Sequence, residues 1–479
     1  MKKILYVGSE CMPFAATGGL GDVMGSLPAS LKEKYPEDYD VRVVLPLYDA
    51  VNETWRVQMN FEGNFTVRLG WREQYCGVFS LVKDNVTYYF IDNEYYFKRG
   101  SLYGQYDDGE RFAFFSLAVL EMFPHVGFYP DVIHANDWQS ALTIVYLNAK
   151  FRGVWGYTYI KTIFTIHNIE YQGNYDMYIL GDVFGIDESF IPLMEWRGCM
   201  NLMKAAIECA DRVTTVSPQY AKEIQTAEYA HGLEDLLAGV SFKLSGILNG
   251  IDYNYYNPHE DKEIAKNYMW RSIKGKLSDK PALQEELGLP VREDVPMLSI
   301  ISRLVSHKGT DLLKAIGFRM MAENDCQLVV LGSGEAQYEG YFRALERECP
   351  DRVRALIKYD RALSKRIYAA SDFFIMPSKS EPCGLSQMIC SRYGAVPIVR
   401  ETGGLYDSIQ VYWVADGEIH GNGFTFAGYN AEELYDRIKA ALEVYADSAA
   451  MKKLQQKVMK TDFSWSASAA KYAELYDNL

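Results

Sequence analysis

A chain of 479 residues is too long for one ordinary hydrophobic core, so two domains of roughly 200 to 250 residues are expected. Its 48% hydrophobic and 23% charged content is that of a soluble globular protein. A net charge of −14 leaves no basic surplus to neutralise phosphates, so neither a nucleic-acid nor a membrane partner is expected, although one local cationic pocket is compatible with it.

The amino-terminal MKKILYVGSE has two lysines, but its apolar run is broken by Gly8, Ser9 and Glu10, too soon for a secretory signal. No stretch approaches the ~20 apolar residues of a membrane span. The eight cysteines form no Cys-x-x-Cys pair and no zinc-spaced Cys/His cluster. A reduced, cytoplasmic protein is expected. The 36 tyrosines and 8 tryptophans are compatible with sugar binding and equally with ordinary packing.

In chain order, KILYVG (3–8), VRVVLP (41–46), VTYYFID (86–92), DVIHA (131–135), IKTIFTIH (160–167) and RVTTVS (212–216) read as buried strands. Helical segments such as 110–123 and 200–210 lie between them. Buried strands separated by helices predict a parallel, doubly wound sheet. Residues 246–258 end in turn formers, and the charged stretch from His259 to Lys280 reads as a surface excursion. The pattern then restarts with PMLSIIS (296–302), QLVVLG (327–332), VRALIKY (353–359), DFFIMP (372–377) and AVPIVR (395–400), a second doubly wound sheet. Residues 463–479 read as a helix. The fold class is α/β, two doubly wound domains whose strand carboxyl ends are expected to face a shared cleft.

Candidate chemistry falls after the strands. Thr17-Gly18-Gly19-Leu20-Gly21-Asp22 follows the first strand and opens a helix. Such a turn admits an anion to free N–H groups at a helix N-terminus; its structural alternative is a glycine turn with Asp22 as cap. In SRLVSHKGTDLL (302–313), Arg303 and Lys308 suit a pyrophosphate, as a planar fork and a point charge, or are solvated surface cations. In PSKSEPCGLSQM (377–388), Glu381 precedes Pro382 and is expected extended, and Gly384, Leu385 and Ser386 open a helix. Gly403-Gly404 opens another. A carboxylate beside phosphate-binding amides suits a hydroxylated ring joined to a diphosphate. TIHNIEYQG (165–173) places His167 and Asn168 at a strand end, and HANDWQSAL (134–142) does so for Asp137 and Trp138. Asp38-Tyr39-Asp40 has the Asp-x-Asp pattern of some metal sites, but it precedes a strand and reads as a solvated turn.

The ordered set TGGLGDV, HANDWQ, TIHNIEYQG, VSPQYAKEI, ILNGIDYNYYNP, SRLVSHKGTDLL, SEPCGLSQM and ETGGLYDSI resembles the bacterial glycogen synthase and starch synthase family through nearly all of the chain. The resemblance implies a GT-B fold: a first Rossmann-like domain, 1–246 with a returning helix at 463–479, and a nucleotide-sugar domain, 247–462. It implies a glycosyltransferase that carries glucose, with retention, from ADP-glucose or UDP-glucose to the non-reducing end of an α-1,4-glucan. By motif, Arg303 and Lys308 would stabilise the leaving diphosphate and Glu381 would hold sugar hydroxyls. Gly384, Leu385 and Ser386 would present backbone to the donor, beside Cys383, which reads as packed and not as a nucleophile. His167 would lie against the glucosyl ring with Asp137 and Asn249 nearby, Tyr359 would stack on the base, and Gly18 and Gly19 would approach phosphate and sugar. No cofactor or metal is required by that scheme.

The sequence departs from the family pattern where a lysine usually stands two residues before the Gly-Gly pair: here it is Ala16. A charge-assisted contact of roughly 1.5 to 3 kcal/mol is thereby lost, which leaves both donors open. Lys98 or Arg99 could replace that cation, and Phe97 stands where the family has a tyrosine. Two other readings are a transferase with a small acceptor and a catalytically weak glucan-binding protein.

Overall fold

Runs of Val, Ile and Leu pack best where both faces of a strand are covered, and they form the centres of two mainly parallel sheets. The computed structural model describes residues Met1–Leu479, which cluster into two compact units. The first comprises Met1–Val216, Ala221–Ile247 and Trp465–Leu479; the second comprises Ser217–Tyr220 and Leu248–Ser464.

The first unit has a nine-stranded sheet of β1 (Lys2–Val7), β2 (Tyr39–Pro46), β3 (Asn60–Leu69), β4 (Arg72–Lys83), β5 (Val86–Asp92), β6 (Val132–Asn136), β7 (Lys161–Ile166), β8 (Arg212–Thr215) and β9 (Leu244–Gly246). Their order is β9-β8-β7-β6-β1-β2-β5-β4-β3. All pairs are parallel except β3–β4 and β4–β5. Six of these strands are the ones expected from sequence. β3 and β4 are not: β3 is exposed over its first half and alternates after it, so it makes no apolar run, whereas β4 buries most of residues 76–81, a run the sequence reading missed. β9 is only three residues long and hidden in a turn-rich stretch.

The carboxyl-terminal helix, Trp465–Asp477, packs on the helix Gly19–Lys34 within this unit. A buried polar chain ties it to the sheet. The Tyr476 hydroxyl contacts that of Tyr6 and lies 2.7 Å from His134 Nδ1. His134 Nε2 lies 2.6 Å from Thr165 Oγ1, which lies 2.6 Å from Thr214 Oγ1. A neutral imidazole offers one donor and one acceptor, so it can satisfy both neighbours.

The second unit has a six-stranded parallel sheet of β10 (Met297–Ile301), β11 (Gln327–Leu331), β12 (Val353–Leu356), β13 (Phe373–Met376), β14 (Val396–Arg400) and β15 (Phe424–Phe426), in the order β12-β11-β10-β13-β14-β15. The edge strand β15 goes beyond the five expected, being three residues long and without a β-branched run. Helices on both faces bury Leu298, Ile300, Leu328, Val330, Ile375 and Ile398 on one side and Met297, Val329 and Leu331 on the other.

The stretch from His259 to Lys280 runs over the surface, most of its residues exposed, but a few of its charges are buried and pin it down. Lys276 Nζ donates to the carbonyls of Ala369 and Ser371, at 2.7 and 2.8 Å. Lys280 Nζ lies 2.8 Å from Asp372 Oδ2, which also accepts from the Met297 amide at 2.9 Å. Asp261 pairs with Lys365 at 3.2 Å. The charges fasten the segment to the amino ends of β10 and β13. Such pairs hold the segment in place at little net gain in stability, since desolvation offsets most of their attraction.

Burial pushes His134 down to about 3, with neighbouring His167 adding in the same direction. The unfolded chain therefore binds a proton that the fold refuses. The stability His134 contributes is complete above its ordinary value of 6.5 and is lost as pH falls toward 3. Urea unfolding of wild type is expected to weaken by about 1.4 kcal/mol per pH unit for this one group in that range. His134→Gln should remove that share of the slope whatever its effect on absolute stability, and an unchanged slope would refute the assignment.

Candidate active site

In each unit the residues singled out from sequence emerge after the carboxyl ends of parallel strands, where helix N-termini and turn backbone also collect. In the first unit, the loop after β1 leads to Gly18, whose backbone is extended at φ −155°, and the helix starts at Gly19. Asp22 lies in the first turn and is not the cap, a correction to the structural reading of that turn. A Cβ built on Gly18 or Gly19 would meet nothing within 4 Å. Neither packing nor backbone demands glycine there; what the absent side chains leave is room over the helix N-terminus.

The amides of this turn are not all open, contrary to the sequence expectation. The buried Glu10 carboxylate accepts from the Thr17 amide at 2.6 Å, the Thr17 hydroxyl at 2.7 Å and the Gly18 amide at 3.0 Å. Nor do Lys98 and Arg99 replace the lysine missing at Ala16. Lys98 pairs with Glu94 at 3.5 Å, and Arg99 with Asp107 at 2.8 Å. Phe97 is fully buried, against Tyr48 and Phe114.

Asp137 follows β6 at φ +58°, a left-handed conformation that costs a non-glycine residue about 1 kcal/mol or more. What holds it is its carboxylate, which takes the His167 amide at 2.8 Å and a hydrogen bond from the Asn168 backbone. The loops after β6 and β7 are thus tied together. Burial pushes the Asp137 carboxyl up to about 7 against the pull of those two N–H groups. Burial pushes His167 down to about 3, so its ring is neutral. The side-chain amide of Asn136 donates to the carbonyls of Val7 and His134, which leaves its Oδ1 to accept from His167 Nε2 at 2.9 Å. That fixes both the tautomer and the ring orientation.

In the second unit, Lys308 Nζ lies 2.6 Å from Glu381 Oε2, which also accepts from Ser378 Oγ at 2.9 Å. Glu381 is buried and Lys308 is partly covered. Arg303, on the same loop after β10, is exposed, with Nη2 3.5 Å from His307 Nε2. Gly384 has φ +69° and leads through Leu385 to the helix Ser386–Arg392. Ser386 bonds the Tyr368 hydroxyl. Cys383 is buried, its thiol pushed up to about 12 by burial, so it is inert as a nucleophile at neutral pH. The Asn249 backbone bonds that thiol, while Asn249 Oδ1 is buried with no hydrogen-bond partner. An orphaned acceptor of this kind is an opening for a ligand hydroxyl or N–H. Tyr359, beyond β12, holds its ring 86% exposed.

Gly403 and Gly404 do open a helix, Gly403–Ser408, but serve a different end from Gly18 and Gly19. Gly403 has φ +44°, and its Cβ would sit 2.0 Å from the Glu381 carbonyl oxygen; that of Gly404 would sit 2.0 Å from the Cys383 oxygen. They let the helix press against the loop that carries Glu381. Ser217 Oγ bonds the Pro382 carbonyl of the same loop at 2.7 Å.

The structure thus gathers Lys308, Glu381, Cys383, Gly384, Leu385, Ser386 and Asn249 in one unit, and joins Asp137 to His167 in the other. Glu10, Asn136 and Ser378 were missed. Their one signal was polar type at a strand end, which many surface residues share. Asp40 pairs with Arg42 at 3.0 Å, so the Asp-x-Asp stretch carries an ion pair and not two solvated acids.

Comparison with known proteins matches residues 3–239 to the starch synthase catalytic domain and residues 284–458 to the glycosyl transferases of group 1. A glycogen synthase of Ligilactobacillus salivarius is 46% identical over 479 residues, covering 100% of both chains. One from Clostridium perfringens is 47% identical over 481 residues, covering 100% of this chain and 98% of that one. The catalytic domain of Starch Synthase IV from Arabidopsis thaliana, bound to ADP and acarbose, aligns with a TM-score of 0.89 at 35% identity, over 100% of this chain and 99% of that chain. Sucrose-phosphate synthase from Thermosynechococcus elongatus, at a TM-score of 0.60 and 19% identity, shares the fold alone.

The two kinds of glycine are separable by experiment. Gly19→Ala should leave thermal stability unchanged or raise it by up to about 1 kcal/mol, since alanine is the better helix former, yet weaken binding of a nucleotide-diphosphate sugar. Gly403→Ala should lower the melting temperature. Unimpaired nucleotide-sugar binding by Gly19→Ala in calorimetry would show that the open space is not used.

Proposed function

The chain belongs to the glycogen synthase and starch synthase family of glycosyltransferases, with the GT-B fold, and on that premise we propose that it elongates an α-1,4-glucan with glucose from ADP-glucose, with retention at the anomeric carbon. The observation that carries the reading is the Lys308–Glu381 pair at 2.6 Å beside the Gly384–Ser386 turn. It sets a cation for a diphosphate against a buried carboxylate for sugar hydroxyls. ADP-glucose is favoured over UDP-glucose because a starch synthase 35% identical to this chain holds ADP.

In this reading the chemistry is mainly charge stabilisation. As the glycosidic bond to the diphosphate breaks, negative charge grows on the leaving oxygen and positive charge on the anomeric carbon. Lys308 and Arg303 answer the first, and groups already in place do so without the cost of reorganisation. Glu381 Oε2 is occupied by Lys308 and Ser378, leaving Oε1 to accept a sugar hydroxyl. Asn249 Oδ1 is a second acceptor. The neutral His167 can face the glucosyl ring without adding positive charge where positive charge develops. Leu385 and Gly384 give backbone contacts to the donor, and Tyr359 a stacking surface for its base.

A covalent intermediate needs a free carboxylate at the anomeric carbon. Neither candidate acid is offered for that role: Asp137 is held by two backbone donors in its unit, and Glu381 is bound through Oε2 to Lys308 and Ser378 with Oε1 assigned to a sugar hydroxyl. Same-face attack by the glucan hydroxyl, its proton passing to the departing phosphate, balances without such a nucleophile and without a metal. A trapped glucosyl–enzyme adduct would refute it.

The test is synthesis on a glycogen primer with labelled ADP-glucose and UDP-glucose side by side. Wild type should give alcohol-precipitable polymer, faster from ADP-glucose. Arg303→Ala, an exposed position whose loss leaves no buried charge, should lower kcat/KM by about a hundredfold or more at unchanged stability. Ala16→Lys should raise donor kcat/KM by about tenfold, the value of one charge-assisted contact. Label found only in a small soluble product would favour the small-acceptor reading; no turnover with either donor would favour a glucan-binding protein.

A further inference from the structure

The Gly384–Ser386 turn owes its shape to a side chain that the reaction above leaves out. Gln387 follows the turn and is wholly buried. Its Nε2 donates to the Cys383 carbonyl at 3.1 Å, the Gly384 carbonyl at 3.0 Å and Ser408 Oγ at 3.1 Å. Ser408 Oγ in turn donates to the Gly404 carbonyl at 2.5 Å. One amide thus joins the loop that carries Glu381 to the helix Gly403–Ser408. It cannot be turned over, because its oxygen would then face two carbonyl oxygens. Its Oε1 is left buried without a hydrogen-bond partner. An unpaired buried acceptor costs stability, so the arrangement calls for a reason beyond packing. Oε1 also shows why residue 384 is glycine. A Cβ there would sit 2.6 Å from Oε1 and 3.1 Å from Glu381 Cγ, and the φ of +69° is left-handed.

In a trans peptide the C=O and the N–H point opposite ways. The Cys383 carbonyl shares its peptide with the Gly384 N–H, and the Gly384 carbonyl with the Leu385 N–H. Drawing both carbonyls toward Gln387 Nε2 therefore turns both N–H groups away from it. Neither N–H meets an acceptor in the protein. The backbone has the matching form: Gly384 is left-handed, and Leu385 is right-handed at φ −116° and ψ −30°. Successive residues of opposite hand bring their N–H groups together as an anion-binding concavity. The turn itself is half-buried and Gln387 behind it is sealed, so an anion can approach the N–H groups from the open side only.

We propose that Gln387 is a positioning residue for the donor diphosphate: its amide gathers two carbonyls and so holds the Gly384 and Leu385 N–H groups as a convergent pair. The proposal rests on the nucleotide-sugar reading of this turn and adds to it the side chain that shapes the turn.

The experiment measures binding of ADP and of UDP by calorimetry, and KM and kcat with the nucleotide sugar and glycogen, for wild type, Gln387→Met and Ser408→Ala. Methionine is close to glutamine in length and bulk but donates no hydrogen bond. Well below its melting temperature, Gln387→Met should raise the dissociation constant of the nucleotide that wild type binds by about tenfold or more, the worth of one hydrogen bond to a charged group. KM for the nucleotide sugar should rise with it while KM for glycogen stays unchanged, a split that general loosening of the unit would not give. Ser408→Ala removes one of the three anchors of Nε2 and should shift the same constant by about threefold. It decides the matter if Gln387→Met does not fold. Unchanged nucleotide affinity in the folded variants, an equal rise in KM for glycogen, or no binding of either nucleotide by wild type would each overturn the proposal. If wild type makes no polymer yet binds a nucleotide, and Gln387→Met weakens that binding, the synthase reading falls while the positioning role stands.

Discussion

Strands that run parallel discharge all their following loops at one end of the sheet, and both units depend on that constraint. The loops after β1, β6 and β7 bring Gly18, Asp137 and His167 to one end of the first sheet. Those after β10, β12 and β13 do the same for Lys308, Tyr359 and Glu381 in the second. Residues up to 73 positions apart in sequence, as in the Lys308–Glu381 pair, then meet without any loop crossing the core. Antiparallel β3 and β4 are the exception in the first unit. Their turn returns to the same end.

Charge placement follows from burial. A carboxylate drawn out of water needs donors, and each buried acid at these loop ends has found them nearby. Glu10 takes backbone and hydroxyl donors of the glycine turn, Asp137 takes two amides of the next loop, and Glu381 takes Lys308 and Ser378. The acids therefore act first as clips that shape the loops. Only what remains, such as Glu381 Oε1, is open to a ligand. The same rule turns the segment from His259 to Lys280 into a polar fastening of the second sheet, with Lys280 on Asp372 and Lys276 on two carbonyls.

Glycine pairs that look alike in the chain do opposite work. At Gly403 and Gly404 the backbone of the Glu381 loop fills the space a Cβ would need. At Gly18 and Gly19 nothing of the protein fills it. The first pair builds the fold of the loop and the second leaves a surface bare, a distinction that rests wholly on what lies across from each residue.

What the sequence determined by itself is local in cause. β-branched runs and their spacing gave eleven buried strands, the helices between them and the repetition of the doubly wound pattern, because burial on both faces selects composition as well as structure. Motif order gave the family, and with it Lys308, Glu381, His167 and Asp137 as candidates. Tertiary structure decided what depends on the partner across a gap. It took the amides of Thr17 and Gly18 for Glu10, committed Lys98 and Arg99 to Glu94 and Asp107, and buried Phe97. It also paired β3 with β4, although β3, exposed over its first half, carries too weak an apolar signal to be read alone. A residue's type sets which bonds it can make; only the fold sets which of them it has already made.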